Sequence, residues 1–346
     1  MQEIINYGSF LQAYALMNLI KEDDISFISI YSQTTDTHYI KHKKWIKEIK
    51  KLYRDRKKYL QTKLCRNKLK RVIVPFQKKY FHYKPGNFDL LIIGSDEVFN
   101  FAQKAPWDYR IFLGEGLSYS KICSFAASCG FTTIDMLSEE SKQYIAKRIK
   151  EFEYLSVRDN GTYELIHTLS DKKIQYILDP VLLYNFKKEI SNNIFVYPDD
   201  YMVVYSYNYR FSDADEIKEI QSFARKQKLK ILAVEGVQTW INDYVAVTPF
   251  KLFSLFDKAK FIVTDTFHGT IIASKLHKRF VSFIRQDNSN KLEDLIKRLC
   301  LEEHKYSKGN LEKILLDMND FTQYDSIISN ERKKAEDYIN CLKKGS

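Results

Sequence analysis

The chain has 346 residues, enough for two domains of ordinary size, and is rich in aromatics with 24 Tyr and 23 Phe. Lys and Arg outnumber Asp and Glu 55 to 44, a formal charge of +11 that favours anionic partners. No run of about 18 apolar residues predicts a spanning helix, residues 1–8 lack the basic start and apolar core of a signal peptide, and five scattered cysteines without a Cys-x-x-Cys pair argue against a zinc site or disulfide framework and fit a reducing cytoplasm.

Asn6-Tyr-Gly-Ser-Phe-Leu-Gln-Ala-Tyr-Ala-Leu16 reads as a turn followed by an amphipathic helix, with Gly8 in the turn and Ser9 as N-cap. A strand precedes such a turn in a Rossmann-like unit, and only residues 1–5 stand before it. That strand is either very short or begins upstream of this sequence. Residues 25–31 read as a strand. Residues 41–79 carry 17 Lys and Arg against Glu48 and Asp55, with Trp45, Ile49, Leu52, Tyr59 and Leu60 roughly at helical spacing. Such a basic helix either packs one stripe onto its own domain or lies on an anionic membrane surface; nucleic acid is the least favoured partner.

Residues 90–93 are an aliphatic run, a fully buried strand, and Gly94-Ser-Asp96 is the turn at its end with a carboxylate at its tip. Residues 122–130 form another strand that ends in small residues, which admit either a ligand or a neighbouring helix. A helix follows over about 138–152. The short strand at 154–159 ends in Arg158, suited either to clamping an anion with two prongs or to pairing with Asp159 or Glu164. Asn160 and Gly161 turn into a helix, and 176–183 read as a strand interrupted by Asp179-Pro180. The polar stretch 184–200 is the expected linker. Beyond it, strands at 201–207, 229–234, 261–263 and 280–284 alternate with helices at about 213–228, 249–258, 269–277 and 290–300. A tail helix covers about 328–342. This alternation implies an α/β protein with parallel sheets and helices on both faces. The expected division is a Rossmann-like lobe over 1–185 with the basic insertion at about 41–79, a second over 186–305, and a helical tail over 306–346.

Within the second lobe, Phe261-Ile-Val-Thr-Asp-Thr-Phe-His-Gly-Thr270 combines a buried strand, a polar turn and a helix start. Ligands of open parallel sheets bind where strand ends feed helix N-termini, and the free N–H groups there suit phosphate or carboxylate. His268 beside Gly269 sets an ionisable ring where the backbone also comes close. Thr264, Asp265 and Thr266 equally serve as helix caps, so capping and ligand binding are both readings of this segment.

Four stretches, in this order, resemble motifs of the polysaccharide pyruvyl transferase family: Asn6-Tyr-Gly-Ser with Leu11-Gln-Ala-Tyr-Ala-Leu16; Gly94-Ser-Asp96; Ser156-Val-Arg-Asp159 with Asp179-Pro180; and Thr264-Asp-Thr-Phe-His-Gly269. The likeness runs from about residue 5 to about 305. It implies two Rossmann-like lobes facing a cleft, as in two-lobed glycosyltransferases of the GT-B type. It also implies transfer of a pyruvyl group from phosphoenolpyruvate, as a cyclic ketal, to a sugar of a cell-surface polysaccharide or its lipid-linked precursor. By position, Arg158 matches the family's anion-binding arginine, His268 the histidine of its second-lobe motif and Asp96 the acid of its Gly-Ser-Asp turn. Many members have an arginine before a Leu-His-Gly where this chain has Thr266 and Phe267. Its absence either weakens the anion site or shifts the work to Lys275, Lys278 or Arg285. Glu97 and Phe99 stand where the family often has Gln and Trp.

Ketal formation from phosphoenolpyruvate needs an acid to protonate the methylene carbon, a base for the attacking hydroxyl, and cations for carboxylate and phosphate. His268 is the expected proton carrier, since imidazole titrates near neutral pH. Asp96 or Asp265 is the expected base. Arg158 and the helix start at Gly269 hold the anion, and Gly8, Ser9, Gly94, Ser95, Thr266 and Thr270 complete the substrate-binding set. No metal is expected, and no cofactor beyond phosphoenolpyruvate as donor substrate. The chain contains no Gly-x-Gly-x-x-Gly and no Walker loop. The same fold also serves glycosyltransferases with nucleotide-sugar donors, and a glycan binder without turnover. A lipid-linked acceptor and the basic segment together suggest a cytoplasmic protein peripheral on the inner membrane face.

Overall fold

The structure, a computed structural model, describes residues 2–22, 24–30, 55–103, 107–286, 289–317 and 320–344. It is α/β with two parallel sheets. The first takes β1 (Asn87–Asp96), β2 (Ser118–Ala127), β3 (Leu155–Val157) and β4 (Ile174–Tyr176) in the order β1-β2-β3-β4. The second takes β5 (Tyr201–Ser206), β6 (Lys230–Glu235), β7 (Asp243–Val245), β8 (Phe261–Thr264) and β9 (Phe280–Ser282) in the order β7-β6-β5-β8-β9. The aliphatic runs set this pattern: all six residues of β5 and all four of β8 are buried, as strands covered by helices on both faces require. Register lines up the strand ends. Asp96 pairs with Ala127 and Ala127 with Val157 in the first sheet; Ser206 pairs with Glu235 and Tyr205 with Thr264 in the second.

The helix α1 (Tyr7–Ile20) begins as expected but at a different cap. Asn6, not Ser9, is the N-cap, its Oδ1 accepting from Ser9 N at 2.6 Å. The helix is not amphipathic: residues 7–16 are buried without a break, because α1 lies between the two sheets. Phe10 and Tyr14 share one apolar cluster with Phe81 and Phe125 of the first lobe and with Tyr205, Phe250 and Phe253 of the second. The lobes are therefore joined by a common core.

Several expectations need correcting. Residues 25–30 form no strand; Phe27 makes an isolated bridge to Tyr83. An opening of about 710 Å³, lined by Leu16, Phe27, Ile28, Leu90 and Ile92, lies between them and β1, and their backbone bonds go elsewhere: Phe27 N donates to His82 O at 2.7 Å and Ile30 N to Glu3 Oε2 at 2.8 Å. Residues 2–6 are turn and bend. Asp179-Pro180 does not interrupt a strand. Asp179 caps the short helix α5 (Pro180–Leu183), with Pro180 in the first turn where its missing N–H costs nothing. The strand β7 was not anticipated. It has three residues, none of them fully buried, and no apolar run marks it.

The remaining helices cover the sheets: α2 (Arg56–Tyr80), α3 (Glu139–Ile149), α4 (Asn160–Leu169), α6 (Lys187–Ser191), α7 (Ala214–Lys226), α8 (Lys251–Lys258), α9 (Phe267–Lys275), α10 (Ser289–Arg298), α11 (Leu311–Leu316) and α12 (Thr322–Lys344). Between residues 184 and 200, α6 is tied down: buried Glu189 accepts from Tyr14 Oη at 2.7 Å and Tyr184 Oη at 3.0 Å. The tail helix α12 returns to the first lobe, where Tyr338 Oη donates to Ser124 O at 2.7 Å. Of the basic segment, Trp45, Ile49 and Leu52 lie outside the described residues. Its described part, α2, buries Cys65, Leu69, Ile73 and Gln77 at four-residue spacing and leaves Leu60 and Leu64 exposed. That is the one-stripe packing of an ordinary surface helix.

Candidate active site

The site is built around Asp179. Its Oδ1 is spent on capping, accepting from Val181 N at 2.9 Å. Its Oδ2 lies 2.6 Å from Arg158 Nη1 and 3.7 Å from His268 Nε2. Arg158 comes from the end of β3 and His268 from the start of α9, so one carboxylate oxygen faces a side chain from each lobe. Burial raises the Asp179 pKa, but His268 and Arg158 more than offset it and hold it at about 2. Sequence reasoning quoted Asp179 as a strand break and missed it as a site residue. The signal was available, since Asp before Pro is a capping signature and the cap fixes where the carboxylate points.

Asp96 sits at the tip of β1 with φ at 80°, the left-handed region. Its Oδ1 is 3.4 Å from Arg158 Nη2, and its Oδ2 accepts from Ser9 Oγ at 3.0 Å. Burial raises its pKa, yet Arg158, His268, Lys291 and the Ser9 hydroxyl bring it below the ordinary carboxylate value. The Arg158 side chain is 1% exposed, and its guanidinium stacks 4.4 Å above the Phe267 ring. Phe267, where the family often has Leu, thus supports the arginine from the opposite lobe.

Gly8 lets His268 lie flat on α1: a Cβ at position 8 would stand 2.2 Å from Nδ1. Gly94 (φ 147°) meets the same kind of limit, since a Cβ there would be 2.0 Å from Phe125 O. It serves strand packing. Ser95 is fully buried, its N–H donating to Gln12 Oε1 at 3.1 Å and its Oγ to Asp179 at 3.4 Å. In the second lobe, Thr266 caps α9 by accepting from Gly269 N at 3.0 Å, so the N–H read as an anion holder is occupied. Thr264 Oγ1 donates to Tyr205 O at 2.8 Å, and Thr270 Oγ1 is 2.8 Å from Ser282 Oγ. Thr266 is spent on capping, and Thr264 and Thr270 on bonds within the second lobe. Asp265 is fully buried between Arg210 (3.2 Å) and Arg285 (3.4 Å), so no substrate hydroxyl reaches it.

The cations fall differently from expectation. Lys275 is half-buried, with Nζ on the carbonyls of Leu182 (3.1 Å) and Tyr184 (2.8 Å), and desolvation lowers its pKa to about 7. Lys278 bonds Asp257 O. Arg285 is held by both oxygens of Glu216 at 2.8 and 2.7 Å. A further cation at the motif residues is Lys291 of α10, which pairs with Glu97 across the cleft and was not anticipated. An opening of about 440 Å³ between Phe131 of the first lobe and Arg210, Arg285 and Gln286 of the second marks the mouth.

A sequence model of the polysaccharide pyruvyl transferase family matches residues 6–288. The chain belongs to that family. The match includes all four motifs that converge on this cleft. No curated protein matches. Among solved structures, a functionally uncharacterised protein of Klebsiella pneumoniae aligns at 13% identity over 72% of this chain and 88% of its own, with a TM-score of 0.36. The wall teichoic acid polymerase TagF aligns at 10% identity over 90% of this chain and 99% of its own, TM-score 0.36. The spinosyn forosaminyltransferase SpnP aligns at 10% over 72% of each chain, TM-score 0.33. Likeness at this level assigns no chemistry.

Proposed function

We propose that this family member transfers a pyruvyl group from phosphoenolpyruvate to two hydroxyls of a saccharide acceptor, forming a cyclic ketal and releasing phosphate. The observation that carries the reading is the convergence of Arg158, Asp179, Asp96 and His268, from four separated segments and both lobes, on one cleft. His268 donates the proton to the methylene carbon. Asp96, held ionised by Arg158, faces the positive charge that develops on the ketal carbon. Lys291 meets the donor phosphate or carboxylate from the second lobe, and Arg158 does so by exchanging its longer contact, the 3.4 Å one to Asp96.

Incubation with phosphoenolpyruvate and an array of glycans and lipid-linked saccharides, read by mass spectrometry, tests this. Phosphate release with a pyruvylated product supports it. Release of nucleoside diphosphate from a nucleotide sugar would replace it with glycosyl transfer, and binding without turnover of either donor would make the chain a glycan binder. His268→Ala is expected to abolish turnover with the fold intact, and Arg158→Lys to weaken phosphoenolpyruvate binding, because lysine lacks the planar two-pronged contact.

A further inference from the structure

The reaction above leaves one proton without a carrier, the one on the attacking hydroxyl. Asp96 is a poor acceptor for it, pinned as an ion by Arg158, and Asp265 is sealed between two arginines. A third carboxylate also closes a strand, in the other lobe. Glu235 ends β6 as Asp96 ends β1, and it too has a left-handed backbone, with φ at 70°. Left-handed φ is uncommon for a residue with a long side chain, and such outliers concentrate at functional sites. The first turn of α1 holds both: Ser9 Oγ donates to Asp96, and Tyr7 N donates to Glu235 Oε2 at 3.2 Å. Gly8, between those two residues, carries the His268 ring. Three functional side chains thus hang from three consecutive residues.

We propose that Glu235 accepts the proton of the attacking acceptor hydroxyl, while Asp96 remains ionised throughout. The inference rests on the pyruvyl-transfer reading. As the first hydroxyl oxygen bonds to the ketal carbon, its proton passes to Glu235 and His268 delivers one to the methylene carbon, which becomes methyl. Phosphate then leaves with the electrons of the carbon–oxygen bond. The second hydroxyl closes the ketal and its proton leaves on hydrogen phosphate; Glu235 then gives up its proton and His268 regains one through solvent, so the two hydroxyl protons account for the new methyl hydrogen and the hydrogen phosphate. The groups facing Glu235 are Tyr7 of α1, Tyr205 of β5 (Oη 3.4 Å away), Tyr207 just beyond β5, and Tyr244 of β7, whose Oη donates to the Glu235 carbonyl at 3.2 Å. All are neutral, and no cation among the described residues figures in its environment. Burial accordingly pushes its pKa up to about 7, against the lowered value of Asp96. Two carboxylates driven apart in this way divide the roles of ion and proton carrier. Glu235 and His268 are each 9% exposed, and Tyr207 beside Glu235 is 45% exposed.

The test uses the full chain, phosphoenolpyruvate and an acceptor that turns over. Wild-type kcat should rise through about pH 7 as Glu235 ionises. Glu235→Gln keeps an oxygen for the Tyr7 N–H but cannot take a proton. Its kcat should fall on the order of 10²–10⁴-fold and lose that rise, with phosphoenolpyruvate affinity within about twofold of wild type. A melting temperature at pH 5.5 equal to wild type confirms the fold. Should that variant fail to fold, Glu235→Ala with added formate decides, since a small carboxylate restores proton transfer but not a structural contact. Glu235→Gln retaining kcat within about fivefold, or Glu235→Ala without formate rescue, overturns the proposal while the pyruvyl-transfer reading stands. Wild-type protein that turns over no acceptor with phosphoenolpyruvate overturns both.

Discussion

A methyl group at position 8 would stand 2.2 Å from His268 Nδ1, so Gly8→Ala moves the imidazole without touching its chemistry. The expected cost is about 1–3 kcal/mol from overpacking. It should come with a fall in kcat of roughly 10²-fold, because small displacements of a reacting group are expensive. Thermal melts and steady-state kinetics on the same sample check both. Asp179 gives a pH-dependent prediction. Its folded pKa, about 2, lies below the unfolded value, so its ionised form contributes stability that is fully present above about pH 4 and is lost as pH falls toward 2. The size is about 2 kcal/mol. Asp179→Asn should therefore be less stable than wild type at neutral pH, with the difference shrinking in acid; urea unfolding between pH 2 and 7 measures it. These residue-level features were partly legible. His268, Arg158 and Asp96 stood out by residue type and by motif. Asp179 stood in a motif without showing its role, and Glu235 did not stand out, because a buried acid announces itself only through its partners: Asp179 through Arg158, Glu235 through a backbone N–H 228 positions away.

At the scale of elements, strand–helix alternation was readable because buried parallel strands are aliphatic runs bounded by turns. What failed was the environment of those elements. The helix pattern of α1 looked amphipathic, yet residues 7–16 are buried on every side, since that part of the helix lies between two lobes. Residues 25–30 have strand composition but stand beside a gap rather than a neighbour. The basic segment divides the same way. The described helix α2 packs a stripe of Cys65, Leu69 and Ile73 and points its lysines and arginines outward. Among the described residues no helix is long and apolar enough to cross a membrane. A surface-bound protein remains our proposal for reaching a lipid-linked acceptor, each basic residue near an anionic bilayer contributing ~1 kcal/mol at low salt. The expected outcome is sedimentation with anionic but not neutral vesicles, reversed by salt, and weakened when Lys43, Lys44, Lys47, Lys50 and Lys51, which lie outside the described residues, are changed to Gln. Equal partitioning onto both kinds of vesicle, or none, would leave packing as the segment's only role.

The whole molecule is less divisible than its two sheets suggest. The tail helix α12 covers the first lobe, with Tyr338 against Phe125 and Tyr154 and Arg332 Nε donating to Leu183 O at 3.0 Å. Ending the chain after residue 317 would uncover that face. The expected result is a first lobe that loses its tertiary packing, seen as lost near-ultraviolet circular dichroism and a melting transition lowered or split, with the second sheet still folded. A truncated protein that melts as sharply as the full chain would refute this dependence.

The Tyr7 hydroxyl bonds the backbone of Val247, 240 positions later, at 2.8 and 2.9 Å. A ribosome releases the chain from its N-terminus at about 5–20 residues per second, so roughly 10–50 s pass between the two. For that interval Phe10, Leu11 and Tyr14, fully or almost fully buried in the finished protein, have no second lobe to cover them. The helix that carries the site is thus made well before the lobe that shelters it. The protein's yield in a cell should depend on chaperones that hold this apolar helix until the second lobe has emerged.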